Sequence, residues 1–581
     1  MHIPFRRIVV SVIATVLLGS LPTTGATVPR APTALAQRCV ITSLPASQAT
    51  AIERIVRREM QRRRIPGLQI VIVRHGAVAF RGSYGVADIE TGATVTPRSL
   101  FTLNSATKAF TGVAIAQLVQ AGRLSLDAPA AAFVPDWPAR WGVVSVRQLL
   151  THISGLPDVL EQPRGQGTGR LVGDGDPDSA WATIRTRPVE APPGARFRYN
   201  QTNYVLLGKI IDRLTGMPFT RYIAARQFAP AGATGFAYGE TRDIVPGRVR
   251  VYRYASGAVD GSTRDAPLEH AFDEFAPFLR TAGGLNGSAT DVARWLIGLQ
   301  NGRLLSPASL QMLWTPGRYA DGKPTQWGMG WPLRSDERHP VATGIGGRRS
   351  AFFVYPKDDL SIVVLTNLAG ANPEEFIGEI AGVFYPELRL ENGGGLSRDT
   401  NRLRVALAAF PDDAPAMIFA RLRSGSPALD VTEEDLNVWG GRLLAADRVD
   451  EGIRVLMLNT SLHPESANTW DSLGEAYEAA DRVTDALAAY RRSLHIDGSN
   501  EHARRRCSVL SAPRRTAPES GEHRQKNNRT EVEIRRPYSV LACAIPVAGI
   551  AASRVPTMAL ASNRLVALMP SSTRSTGRTC A

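Results

Sequence analysis

Phe101-Thr102-Leu103-Asn104-Ser105-Ala106-Thr107-Lys108 leads straight into Phe110, Val113, Ala114, Ile115 and Leu118, apolar positions at helical spacing. The octet reads as the entry to a helix. A serine at its start and a lysine three residues on share one face, one turn apart. The helix N-terminus adds backbone N–H groups and a positive field where an oxyanion would form. A serine hydroxyl is a weak nucleophile until a base takes its proton, and a lysine withdrawn from water is one recognised base. Ser-x-x-Lys is short enough to arise by chance. Here chance is restrained, because only five of the 68 basic residues are lysines: Lys108, Lys209, Lys323, Lys357 and Lys526. The chain uses arginine where positive charge suffices, and arginine does not accept a proton near neutral pH.

Upstream of the octet, Ile52, Ile55, Val56 and Met60 recur at helical spacing, and Ile65-Pro66-Gly67 ends that helix. Strands follow over 68–74 and 77–82, about a turn at His75-Gly76. Far downstream, 350–355 and 361–366 form a second strand pair around Pro356-Lys357-Asp358-Asp359. Strands at both ends of a mainly helical middle predict an α+β fold, with one antiparallel sheet built from both ends, flanked by helices and carrying a helical insertion. Two stretches rich in Gly, Pro and Asp, 162–178 and 255–265, read as loops of the length that often forms lids.

The chain has 581 residues, room for three or four units. Its 44% apolar and 21% charged content excludes whole-chain disorder and a membrane bundle. Arg6 and Arg7, the apolar run from Ile8 to Leu21, and Ala34-Leu35-Ala36 have the order of a secretory signal over 1–36, which implies a periplasmic or secreted protein. Cys39, Cys507, Cys543 and Cys580 lack metal-ligand spacing, so no metal site is expected. Of the net charge of +15, +9 falls from Glu501 onward, with 14 Lys/Arg against 5 Asp/Glu. That places the excess in a tail, 511–581, read as disordered, and no nucleic-acid partner is expected.

Beyond about Gly395 the sequence becomes Ala-rich and helical, with an internal period of 34. Leu436, Gly440, Leu443, Gly452 and Leu456 are matched, each 34 later, by Trp470, Gly474, Tyr477, Ala486 and Tyr490. Over 400–505 this resembles the tetratricopeptide pattern, which implies a protein or peptide partner. Two copies are few, so they are expected to lean on helices around Arg402 to Arg423 or on the preceding domain.

Between about 48 and 390 several separated motifs resemble the β-lactamase-related serine hydrolases, which include class C β-lactamases, D-alanyl-D-alanine peptidases, D-amino-acid peptidases and esterases. They are Ile65-Pro66-Gly67, the Ser105 octet, Leu124-Ser125-Leu126-Asp127, Leu149-Leu150-Thr151-His152-Ile153-Ser154-Gly155-Leu156-Pro157, Ala282-Gly283-Gly284-Leu285 and Val363-Val364-Leu365-Thr366-Asn367. The resemblance implies that Ser105 is the nucleophile and that Lys108 and Tyr199 manage its proton. In the Tyr-x-Asn motif of the family, Gln201 stands for the Asn here, keeping its hydrogen-bonding groups on a longer arm. The third motif places a cation, then Thr or Ser, then Gly, on a strand facing the serine. Ala342-Thr343-Gly344-Ile345 occupies it here, so Thr343, Gly344 and Ile345 are the substrate-side candidates, the backbone N–H near Ile345 completes the oxyanion hole, and the cation is missing at Ala342. Arg348 and Arg349 are the nearby positions from which positive charge could return. His152 has no evident carboxylate partner and is assigned to loop structure rather than a triad.

These readings imply an exported serine hydrolase that cleaves an amide or ester of a small-molecule or peptide substrate through an acyl-enzyme on Ser105, with no cofactor. A catalytically decayed scaffold whose repeats bind a partner is the alternative.

Overall fold

Gly67–Arg74 and Leu360–Thr366 are apolar almost without interruption, as strands covered on both faces must be. In the computed structural model they lie side by side. The structure describes residues 38–511 apart from 161–176, 256–266, 274, 335–337, 390–391, 393–395, 412, 427, 446–447 and 499. The segment read as a signal, the tail from Ala512 and most of the two lid-like loops lie outside the described residues.

The strands are β1 (Arg38–Thr42), β2 (Gly67–Arg74), β3 (Ala77–Gly85), β4 (Phe101–Thr102), β5 (Ala237–Tyr238), β6 (Tyr252–Tyr254), β7 (Leu268–His270), β8 (Leu285–Gly287), β9 (Leu333–Arg334), β10 (Val341–Gly346), β11 (Ser350–Tyr355) and β12 (Leu360–Thr366). Seven of them form one sheet in the order β1-β3-β2-β12-β11-β10-β9, with every pair antiparallel. The two ends of the hydrolase-like segment meet at β2 and β12, where Val71 is opposite Val363 and Ile70 opposite Val364. This is the α+β sheet that the strand pattern predicts.

Alternation along the strands sorts side chains into two cores. On one face Ile70, Ile72, Phe353, Ile362 and Val364 pack with Ile52 and Val56 of helix α1 (Ala46–Arg62) and with Phe376, Ile377 and Ile380 of the helix Pro373–Ala381. On the other, Val71, Phe352, Val354, Val363 and Leu365 pack with helix α2 (Thr107–Gln120) and with the helix Ala289–Gln300. Helix α2 is buried on every side until its last turn, which fits its largely apolar sequence. Phe110 stacks on Trp295 with ring centres 3.8 Å apart. At Gly112 a Cβ would lie 1.7 Å from the Met329 carbonyl oxygen, so the backbones touch there and only glycine fits.

From Arg398 the chain is helical, with helices Arg398–Ala409, Pro415–Gly425, Glu433–Ala445, Val449–Leu462, Ala467–Ala479, Val483–Ile496 and Glu501–Ser511. The period of 34 has a packing counterpart. A Cβ at Gly440 would meet Leu456 at 2.5 Å, and a Cβ at Gly474 would meet Tyr490 at 2.6 Å, so matched glycines admit matched large side chains of the following helix. Leu403, Leu407, Ile418 and Phe419 share a core with Leu436, Trp439 and Leu458, so the helices that carry the 34-residue period pack on the two preceding helices. Arg442 reaches a small cavity that it shares with Arg334, His339, Val341, Tyr355 and Glu374, where the helical region meets the outer face of the sheet. Among the described residues no helix is long and apolar enough to cross a membrane.

Candidate active site

The octet folds as read. β4 ends at Thr102, a single 3₁₀ turn spans Asn104–Ala106, and α2 begins at Thr107. Asn104 takes a left-handed backbone with φ of 49°, one residue before Ser105. Such non-glycine strain persists only where surrounding structure over-determines it. Here β10 supplies that structure. A Cβ on Gly346 would sit 1.9 Å from the Leu103 carbonyl oxygen and 2.9 Å from the Ala106 nitrogen. The strand therefore runs backbone to backbone against the turn that presents Ser105, which is half-buried.

Lys108 is 1% exposed. Its Nζ donates to the Ala282 carbonyl at 3.0 Å and lies 4.7 Å from the ring centre of Tyr199 and 5.2 Å from that of Tyr204. Among the described residues it makes no ion pair, so carbonyl and ring faces take the place of water around the amine. The Tyr199 hydroxyl is buried with no hydrogen-bond partner among the described residues. Ser105, Lys108 and Tyr199 are thus supplied by α2, its entry turn and the segment before the helix Gln201–Thr215.

His152 sets where Tyr199 sits. Its carbonyl accepts from the Arg198 N–H at 2.8 Å and its Nδ1 accepts from the Asn200 N–H at 3.1 Å, one bond on each side of Tyr199. Its ring lies 4.6 Å from the Tyr199 ring. Burial first, and the charge of Lys108 second, push the imidazole well below its ordinary range. It is therefore neutral, with its proton on Nε2, which has no partner among the described residues. No carboxylate contacts it among the described residues, in keeping with the loop role assigned from sequence.

The third motif is only partly arranged as expected. Ala342, Gly344 and Gly346 face α2, whereas Val341 and Ile345 pack on the opposite core. The Phe352 ring fills the space that a side chain at Gly344 would need, with a Cβ 2.1 Å from the ring. Ile345 is half-buried and offers the site only its backbone. Thr343 corrects the sequence expectation. It is 0% exposed, and its hydroxyl and N–H both donate to the Pro332 carbonyl, at 3.1 and 2.9 Å, so neither is left for a substrate. The missing cation does not return from Arg349, which is buried in an ion pair with Asp273. Arg348 is exposed, and its charge acts on Glu374 of the outer-face helix Pro373–Ala381.

Gln201 is half-buried at the first turn of the helix Gln201–Thr215, and its N–H donates to Asp158 Oδ1 at 3.1 Å. Asp158 was not singled out in the sequence, although an acid directly after Leu156-Pro157 was there to see. It also accepts from the Leu160 N–H at 3.2 Å. Burial raises its pKa, against the opposing pull of its backbone hydrogen bonds and of Arg198 and Lys108. The site thus holds one buried amine, Lys108, and one buried carboxyl group, Asp158. An aromatic wall, also missed, continues from Tyr199 to Trp327 and Phe197, with ring centres 5.6 and 5.7 Å apart in turn. Aromatic side chains far apart in sequence carry no signal that they share a wall.

The arrangement can attack a carbonyl with a serine, pass the proton through an amine and a phenol, and hold an oxyanion between a helix N-terminus and a strand. Residues 52–382 match the family model described as Beta-lactamase. Protein flp of Staphylococcus aureus strain N315 is 27% identical over 327 residues, 55% of this chain and 62% of its own length. The chain thus spans less than two thirds of that relative. Esterase EstB of Burkholderia gladioli is 29% identical over 364 residues, 56% of this chain and 91% of its length. Among solved structures, the octameric penicillin-binding protein homologue from Pyrococcus abyssi aligns with a TM-score of 0.49 at 25% identity, covering 62% of this chain and 81% of that one.

Proposed function

We propose that this chain, which belongs to the Beta-lactamase family, is an exported serine hydrolase that cleaves esters or amides lacking a carboxylate at the position the usual family cation would read. The observation that carries the reading is Lys108: an amine with no ion pair among the described residues, sealed from water beside Tyr199, one turn after a half-exposed Ser105.

In the first step the Ser105 Oγ–C bond forms as the hydroxyl proton passes to Lys108 and Tyr199. Negative charge on the carbonyl oxygen is taken by backbone N–H groups at Ser105 and near Ile345. The bond to the departing alcohol or amine then breaks, and Tyr199 returns the proton to it. Water attacks the acyl-enzyme by the reverse proton route and frees the acid. No step calls on a metal or an organic cofactor. Ala342 in the cation's place, Arg349 held by Asp273, and Asp158 beside Gln201 favour neutral substrates over penicillins, whose carboxylate would find no opposite charge.

The test is intact mass after exposure to a fluorophosphonate, comparing wild type with Ser105→Ala and Lys108→Met. A single adduct, absent from Ser105→Ala and slowed at least a hundredfold in Lys108→Met, is expected. A well-folded wild type that takes no adduct would refute the catalytic reading and leave a scaffold that binds through its helical region.

A further inference from the structure

If Tyr199 hands the proton to the departing group, then whatever lies beyond its ring is the surface that group meets. What lies there is aromatic. Trp327 stands edge-on to Tyr199 with ring centres 5.6 Å apart, and Phe197 follows at 5.7 Å. Phe197 is 39% exposed, a large apolar side chain left open to water at the outer end of the wall.

The wall is held before any substrate arrives. The Thr325 hydroxyl donates to the Trp327 carbonyl at 2.9 Å, and the Trp327 N–H donates back to it at 3.2 Å. The Gly317 N–H also donates to Trp327, at 2.9 Å, and Gly317 packs on Thr151, where a Cβ would come within 2.7 Å of that side chain. Thr151 precedes His152, whose ring touches Phe197, Tyr199 and Trp327 at 5.9, 4.6 and 5.0 Å. Beside Phe197, Arg198 pairs with Glu190, and Arg196 donates to the Glu190 carbonyl at 3.2 Å. A preorganised wall of aromatic rings suits an aromatic body.

We infer that Phe197 and Trp327 form a leaving-group subsite, so that the preferred substrates are esters or amides whose departing alcohol or amine carries an aromatic ring. The inference rests on the acyl-enzyme reading above. In the balanced step, the C–O bond of an arylmethyl ester breaks, its oxygen takes the proton held by Tyr199, and the free alcohol leaves along the wall.

Methyl and benzyl esters of one short acid share a single acyl-enzyme and release alcohols of similar acidity, so they differ chiefly at this subsite. In wild type, kcat/KM is expected to favour the benzyl ester by about tenfold or more, with kcat values converging where deacylation limits. Phe197→Ala, a change at a partly exposed position that the fold tolerates, should reduce the preference to within about threefold, and Phe197→Tyr should keep it. Trp327→Leu should reduce it as well. Lengthening the acid instead of the alcohol should give a dependence that Phe197→Ala leaves in place. Ser105-dependent hydrolysis of both esters at equal efficiency would overturn this inference alone, as would a preference that survives both variants. No hydrolysis and no adduct on Ser105 would overturn the parent reading instead.

Discussion

Replacing Gly346 by alanine tests the closest joint in the site. A Cβ there would lie 1.9 Å from the Leu103 carbonyl oxygen and 2.9 Å from the Ala106 nitrogen, both backbone atoms of the turn that presents Ser105. Neither can rotate away as a side-chain tip would. Restoring ordinary contact requires the strand and the turn to separate by about 1.5 Å, whereas an oxyanion donor must hold its target within a few tenths of an ångström. Losing one such donor costs roughly a hundred- to thousandfold in rate, about 3–4 kcal/mol. The overpacking itself should destabilise the fold by about 1–3 kcal/mol. The assay is the second-order rate of fluorophosphonate acylation, measured well below the melting temperature of the variant. Gly378→Ala is the control, because a Cβ at that helical glycine meets nothing within 4 Å. It should leave acylation unchanged and stabilise the protein by up to about 1 kcal/mol. A folded Gly346→Ala protein that acylates within about threefold of wild type would refute the claim that β10 completes the oxyanion site.

His152→Asn keeps a residue that tolerates the left-handed φ of 58° but loses the ring nitrogen that holds Asn200. Acylation should fall at least tenfold as Tyr199 drifts, with a stability loss of about 1–3 kcal/mol in denaturant melts; an unchanged acylation rate would remove His152 from the positioning of Tyr199. Burial pushes Glu374 from 4.5 up to about 7. The folded state therefore holds this proton more tightly than the unfolded chain, so the stability it contributes is full below about pH 4.5 and is lost as pH rises through about 7. The residue is only partly buried although its Oε2 is sealed from water, so the expected gain of Glu374→Gln over wild type at pH 8 is about 1–3 kcal/mol, vanishing near pH 4. Equal melts at both pH values would contradict it. Asp273→Ala leaves Arg349 charged and buried and should cost about 3–5 kcal/mol, while Asp273→Leu with Arg349→Met should recover most of the loss. A double variant as unstable as the single one would show that the pair does more than neutralise itself.

Much was legible from the order of residues alone, because it depended on local periodicity. The largely apolar runs of β2, β12 and α2 report burial on both faces, the serine and lysine one turn apart follow from helical spacing, and the match of Gly440 with Gly474 is an internal period of 34 visible in the chain itself. The scarcity of lysine singles out Lys108 on composition alone. The antiparallel sheet from two distant segments was also within reach, since two buried strand pairs flanking a helical middle have few other ways to bury both faces.

What needed tertiary structure was whatever depended on which atoms lie across a gap. Thr343 had the right residue type and neighbours, yet the return of Pro332 along its edge consumed its hydroxyl. Arg349 was a plausible replacement cation until Asp273, 76 positions away, neutralised it. Asp158, the His152 clamp and the wall of Phe197 and Trp327 are likewise pairings between distant segments. Sequence by itself determined which chemistry was on hand, since a nucleophile and its base one helical turn apart are a local fact. Only the tertiary structure decided which polar groups remain free to use it, because hydrogen bonds and buried ion pairs are settled between segments that the chain order does not bring together.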